Sequence, residues 1–196
     1  MLRLINTYHI FMQLGLRTTG TLLGILILIG GGCGSTAPTT VGYKTYEIPG
    51  KQVTISYPSD WEINTQHPGT IVQIFAPLED TTDSFKENIN IVATDLSQYS
   101  ITDEEFFDTS HKGAQALQDY QEVAYENTTL DGNPAKRLTY VAAFPTKDNV
   151  VLNLKFVQIL TLKDKKSYAV TCTFKENSFD KYVTSCNNMV DSIKIQ

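Results

Sequence analysis

Val150-Val-Leu-Asn-Leu-Lys-Phe-Val-Gln-Ile-Leu-Thr-Leu162 is the stretch that decides the fold. Extended, it puts Leu152, Leu154, Phe156, Leu160 and Leu162 on one face and Val151, Val157 and Ile159 on the other. A strand that is apolar on both faces belongs in the interior of a sheet covered on both sides. Turn signals bound it, Thr146-Lys-Asp-Asn149 before and Asp164-Lys-Lys-Ser167 after, with Lys163-Asp-Lys-Lys166 reading as a hairpin tip. Further strands are expected at 123–130, 136–144 and 168–174. The first two are joined through the turn cluster Asp131-Gly-Asn-Pro134.

Toward the N-terminus the period of two continues. Val53, Ile55 and Tyr57 alternate with Gln52, Thr54 and Ser56, and the run ends at Pro58. Residues 71–75 and 89–93 read in the same way as half-buried strands. Between them, Pro77-Leu-Glu-Asp-Thr-Thr-Asp-Ser-Phe-Lys-Glu87 is polar and reads as a surface excursion. A helix is expected from Thr102, where Thr102 and Glu105 fit a capping box and Ile101 and Phe106 a hydrophobic staple. Asp103, Glu104 and Glu105 favour the positive end of its dipole. Phe106, Ser110, Gly113, Ala114 and Leu117 give that helix one narrow face for the sheet. Ser178 caps a last helix whose stripe is Phe179, Tyr182, Val183, Cys186, Met189, Val190 and Ile193. Strands, a helix, strands and a closing helix make an α+β domain, an antiparallel β-sheet covered by helices.

Four stretches carry a family resemblance: Tyr57-Pro-Ser-Asp-Trp61, Asp83-Ser-Phe-Lys-Glu-Asn-Ile-Asn90, Leu130-Asp-Gly-Asn-Pro-Ala135, and the closing Asp191-Ser-Ile-Lys-Ile195. Together they resemble the PsbP-like family, which has the fold of the extrinsic P subunit of photosystem II and of related bacterial envelope lipoproteins. The match is to the generic bacterial branch rather than to the photosynthetic subunit. It implies an α/β/α sandwich over residues 41–196. It also implies a protein that works by docking on a larger membrane assembly rather than by catalysis.

The N-terminal part says where such a domain works. Thr21-Leu-Leu-Gly-Ile-Leu-Ile-Leu-Ile-Gly-Gly-Gly-Cys33 resembles a bacterial lipoprotein export signal, with Cys33 as the residue that is acylated, for instance by palmitate, and becomes the first of the mature chain. The run departs from the usual pattern at Gly30, where Leu normally stands. Residues 1–32 are thus expected to be a signal peptide. A start at Met12 would give it a compact basic region around Arg17. The apolar run is too short to cross a hydrocarbon core, which needs about 20 apolar residues. Residues 33–40 read as the lipidated Cys and a small, polar, flexible linker.

Without Arg3 and Arg17 the chain keeps 14 basic residues against 21 acidic ones, a formal charge of −7. That balance, with no polybasic patch, argues against nucleic acid and anionic headgroups as partners. The expected partners are the membrane, through the lipid, and an envelope protein on the extracytoplasmic face.

Candidate chemistry is sparse. Trp61, the single Trp, reads as a core anchor. Glu79, Asp80 and Asp83 could supply oxygen ligands to a cation, but their spacing lacks the Gly and terminal Glu of a calcium loop. His67, in a Pro-Gly turn, and His111, in the first helix, lack the paired spacing of a zinc site. No nucleophile elbow, P-loop or dinucleotide fingerprint is present, so neither an enzyme nor a cofactor is expected. Cys172 and Cys186 read equally as a disulfide in an oxidising compartment or as two buried free thiols. The alternative function is an extracytoplasmic receptor for a small ligand or metal, edged by His67 and the acids between Glu79 and Asp83.

Overall fold

The computed structural model describes residues 42–146 and 150–196. The signal peptide, the alternative start at Met12, Cys33, the linker to residue 40 and the tip of the turn at 147–149 lie outside them. Five strands come first: β1 (Tyr43–Ile48), β2 (Val53–Pro58), β3 (Glu62–Asn64), β4 (Val72–Phe75) and β5 (Asn88–Asp95). Helix α1 (Asp103–Gln115) follows, then β6 (Gln121–Leu130), β7 (Asn133–Pro145), β8 (Val151–Lys163) and β9 (Lys166–Lys175). A 3-10 turn (Glu176–Ser178), helix α2 (Phe179–Ser192) and the short β10 (Lys194–Ile195) close the chain.

The main sheet has seven antiparallel strands in the order β3-β4-β5-β9-β8-β7-β6. β8 lies inside it, between β9 and β7, and its two apolar faces enter two different cores. Val157 and Ile159 belong to a large core that includes Ile74, Ile89, Val170, Phe174 and, from α2, Tyr182, Met189 and Val190. Leu154 and Phe156 belong to a smaller one with Leu138, Tyr140 and Ala114 of α1. The fold is therefore α+β, with the sheet between two layers. The α2 layer is not helix alone. A second antiparallel sheet, β1-β2-β10, completes it and contributes Val53, Ile55 and Ile195 to the large core.

Local chemistry explains the connections. β6 and β7 join through Asp131 (φ 48°) and Gly132 (φ 77°), and β8 and β9 through Asp164 (φ 50°) and Lys165 (φ 59°). Both are two-residue hairpin loops in the left-handed region, whose twist matches that of the strands they join. The Asp131 carboxylate also accepts from Ile195 N at 2.9 Å and from Lys194 Nζ at 3.2 Å, which ties the first of these turns to β10. At α1 the capping box is complete: Thr102 Oγ1 accepts from Glu105 N, and Thr102 N donates to the Glu105 carboxylate. Its inward face is turned slightly from the expected one. Phe107 and Ala114 are buried, while Phe106 is half-buried beside Phe107. Trp61 is buried with its ring edge-on to Tyr182, 6.1 Å between centroids.

Candidate functional site

The polar stretch after β4 is where the structure departs most from a solvated excursion. Ala76 N donates to Glu87 O at 2.8 Å, so the two ends of the segment meet. Between them the chain forms a strap laid against the start of α2, as compact loops with close ends do. Asp83, Phe85 and Glu87 are buried.

Each acid of the strap accepts from donors within the chain, although the second oxygen of the buried Glu87, Oε2, accepts from no described residue. Asp80 Oδ1 accepts from Thr82 N, Thr82 Oγ1 and Asp83 N at 2.7, 2.6 and 3.0 Å, a turn closed by its own side chain. Asp83 accepts from Glu79 N and Phe85 N, both at 3.1 Å, and from Lys175 Nζ at 2.8 Å. Glu79 accepts from Lys181 Nζ at 2.9 Å. Glu87 Oε1 accepts from Ser178 Oγ and from Lys175 N. Three rungs, Asp83 to Lys175, Glu87 to Ser178 and Glu79 to Lys181, thus clamp the strap to the end of β9 and the first turn of α2. Ser178 stands at the N-cap of α2, but its hydroxyl turns to Glu87 and makes no capping bond to the helix.

The electrostatics follow from these contacts. Burial pushes the Asp83 carboxyl up, but the Lys175 ammonium and the two backbone amides outweigh it, and its pKa falls to about 2. The hydrogen bond from Lys181 lowers Glu79, and that from the Thr82 hydroxyl lowers Asp80. Lys175 and Lys181 are raised by the same partners, Asp83 and Glu79.

This changes the reading of the candidate ligands. His67 lies between β3 and β4, at the opposite end of β4 from the strap, with its Nδ1 against Pro68 O at 3.1 Å. The edge that His67 was expected to share with Glu79, Asp80 and Asp83 is not formed, because β4 separates them. Among the described residues no group of three or more His, Cys, Asp or Glu side chains is gathered as a metal site. Cys172 of β9 and Cys186 of α2 form a disulfide in the large core, with Cα atoms 6.2 Å apart.

A second polar cluster carries no signal in the residue pattern. His111 of α1 meets Glu122 of β6, Nε2 to Oε2 at 2.5 Å, and stacks on the Tyr125 ring with centroids 4.1 Å apart. Tyr120 Oη donates to the same carboxylate at 2.9 Å. The hydrogen bond from His111, then that from Tyr120, lowers the Glu122 pKa. A bulge in β6 between Glu122 and Ala124 sets this geometry, and no residue pattern announces it.

Fold and site define a class: an antiparallel α+β domain whose acids serve to hold a strap to a helix. The chain belongs to the PsbP-like family, since the family model described as PsbP-like protein matches residues 35–195. No curated protein sequence matches it. Solved structures of low identity share the fold. Cyanobacterial PsbP from Synechocystis superposes with a TM-score of 0.52 at 18% identity, covering 85% of this chain and 98% of that one. LpqN of Mycobacterium tuberculosis, described as involved in cell envelope biogenesis, gives 0.57 at 11%, covering 81% and 92%. The Ran-binding protein Mog1p of Saccharomyces cerevisiae gives 0.50 at 10%, covering 80% and 96%.

Proposed function

We propose that this PsbP-like chain is a lipid-anchored, non-enzymatic module on the extracytoplasmic face of a cell envelope membrane, and that it works by docking on another envelope protein. The observation that carries the reading is the join of this fold to an acylatable Cys33 through a linker of small polar residues, Gly34 to Thr40. Seven such residues reach at most about 25 Å, so the domain stays within one domain diameter of the membrane surface. The partner then has to be presented at that surface. The acids of the strap support the docking reading over a reactive one, because each is bonded to donors of its own chain. The involvement of LpqN in cell envelope biogenesis and the Ran binding of Mog1p point in the same direction. Among the described residues, no helix is long and apolar enough to cross a membrane, so in this reading the lipid makes the attachment.

The test is Cys33→Ala in cells. The variant is expected to lose palmitate incorporation, to leave the membrane fraction and to lose chemical cross-links to its envelope partner, while its circular dichroism stays that of the wild type. Unchanged palmitate labelling would refute the anchor, and retained cross-links from the released form would refute docking at the membrane surface.

Metal titration separates this reading from that of a receptor. Calcium, manganese or zinc is expected to leave Tm unchanged. A metal bound only by the native state would stabilise it by about 2.7 kcal/mol at a hundredfold excess over Kd. A reproducible rise in Tm that disappears on neutralising Glu79 and Asp80 would favour the receptor.

A further inference from the structure

We propose that the free edge of β6 is where two copies of this chain pair, strand against strand, so that their seven-stranded sheets become one. β6 ends the main sheet, and among the described residues no strand lies along its outer side. The hairpin that follows it fixes which of its backbone groups face outward. The loop of Asp131 and Gly132 has two residues, so Leu130 and Asn133 are the hydrogen-bonded pair that closes it. By alternation Thr128, Glu126 and Ala124 also bond to β7, while Thr129, Asn127 and Tyr125 turn their N–H and C=O outward. The register partner of Thr129 is Pro134, which has no N–H to give it.

Such an edge is a template for another strand unless something blunts it. At the opposite edge shortness does so, since β3 has three residues. β6 has ten, with neither Pro nor Lys among them. Its bulge lies at its start, between Glu122 and Ala124, and leaves 124–130 regular. Glu126 is the only charged residue in that stretch. Tyr125 and Asn127 are held in place from their own side of the edge. The His111 ring stacks on Tyr125, the Lys136 ammonium stands 5.3 Å from the same ring's centroid, and Lys136 Nζ donates to Asn127 Oδ1 at 2.5 Å.

The occupant is a second copy because the edge is complementary to itself. Antiparallel pairing centred on Asn127 sets Asn127 against Asn127 and Tyr125 against Thr129 of the other copy. In that register every outward N–H and C=O of the three residues finds a partner, and a shift in either direction leaves some unpaired. Glu126 falls opposite Thr128 and Ala124 opposite Leu130, so no like charges stand directly across from each other. The two-fold axis of such a pair runs normal to the sheet and puts both α2 layers on one side. Gly42, where the described chain begins, leads into β1 of that layer. Both linkers thus leave the pair on the same face, as two copies anchored in one membrane require. This placement of the linkers bears on the lipid anchor proposed above, whereas the pairing of the strands does not need it.

The full chain, expressed in cells and extracted in mild detergent, tests this, because its mass is then read with no membrane present and independently of the anchor. Wild type is expected at the mass of two chains. Thr129→Pro takes away an outward N–H that β7 does not use, and should halve that mass with circular dichroism unchanged. If Thr129→Pro fails to fold, Asn127→Lys, which sets two ammonium groups against each other at the axis, should halve the mass in its place. Asn127→Cys should form an intermolecular disulfide on mild oxidation, since the Cα atoms of such a hydrogen-bonded pair stand about 5.5 Å apart, within reach of the bond. Tyr99→Cys, exposed beyond the end of β5, should not. A wild type at single-chain mass would overturn the pairing, as would a two-chain mass that both edge variants leave intact, or Asn127→Cys that links no more readily than Tyr99→Cys.

Discussion

Replacing Cys172 and Cys186 together by alanine is expected to lower the unfolding free energy by about 3 kcal/mol, the chain-entropy value for a closed loop of this length. The two residues are 14 apart in sequence and both are buried. Their bond joins β9, the central strand of the seven, to the middle of α2. Without it the unfolded chain regains the freedom to separate these elements, and two sulfur atoms leave the large core. Urea unfolding measures the loss as a lower unfolding free energy and a lower midpoint. A change below about 1 kcal/mol would mean that packing alone holds α2 to the sheet. The same expectation covers the wild-type protein in reductant, and thiol counting under denaturing, non-reducing conditions should find neither cysteine free.

The second large effect is at Asp83. Its side chain is 4% exposed, bonded to Lys175 and to two backbone amides. The drop from the ordinary 3.8 to about 2 corresponds to roughly 2 kcal/mol favouring the charged form in the folded state. The group's folded pKa lies below its unfolded one, so this contribution is complete above about pH 4 and is lost as pH falls toward about 2. Asp83→Asn should therefore be less stable than wild type by roughly 2 kcal/mol at pH 7, more if Lys175 is left without a partner. The gap should close on acidification through that window. A gap of equal size at pH 7 and pH 2 would show that the carboxylate charge is not what holds the strap.

Much of the fold was legible because the signals were local. The two-faced run around Phe156 identified an interior strand, Asp131-Gly132 and Asp164-Lys165 marked hairpins, and Thr102 with Glu105 marked the start of α1. The resemblance to the PsbP-like family, carried by residues 57–61, 83–90, 130–135 and 191–195, agrees with the family match over residues 35–195. The strap was not legible. Pro77 to Glu87 is as polar as a solvated loop, and only the fold brings Lys175, Ser178 and Lys181 to its acids from about 90 to 100 residues away. The buried polar residues of β5 were hidden for another reason. Alternation separates the two faces of a strand, but it does not tell whether the polar face is covered, so Asn90 between Ile89 and Ile91 reads as solvated although it is buried. β3 and β10, with three and two residues, are too short to carry a period at all.

The claim on which the functional account rests is that the domain is carried at the membrane by lipid on Cys33. Intact-mass spectrometry of the protein extracted from membranes tests it directly. The account predicts a chain that starts at Cys33, heavier than its sequence by a diacylglyceryl group and any amide-linked acyl chain, and retaining the disulfide of Cys172 with Cys186. An unacylated chain, or one that still carries residues ahead of Cys33, would contradict it.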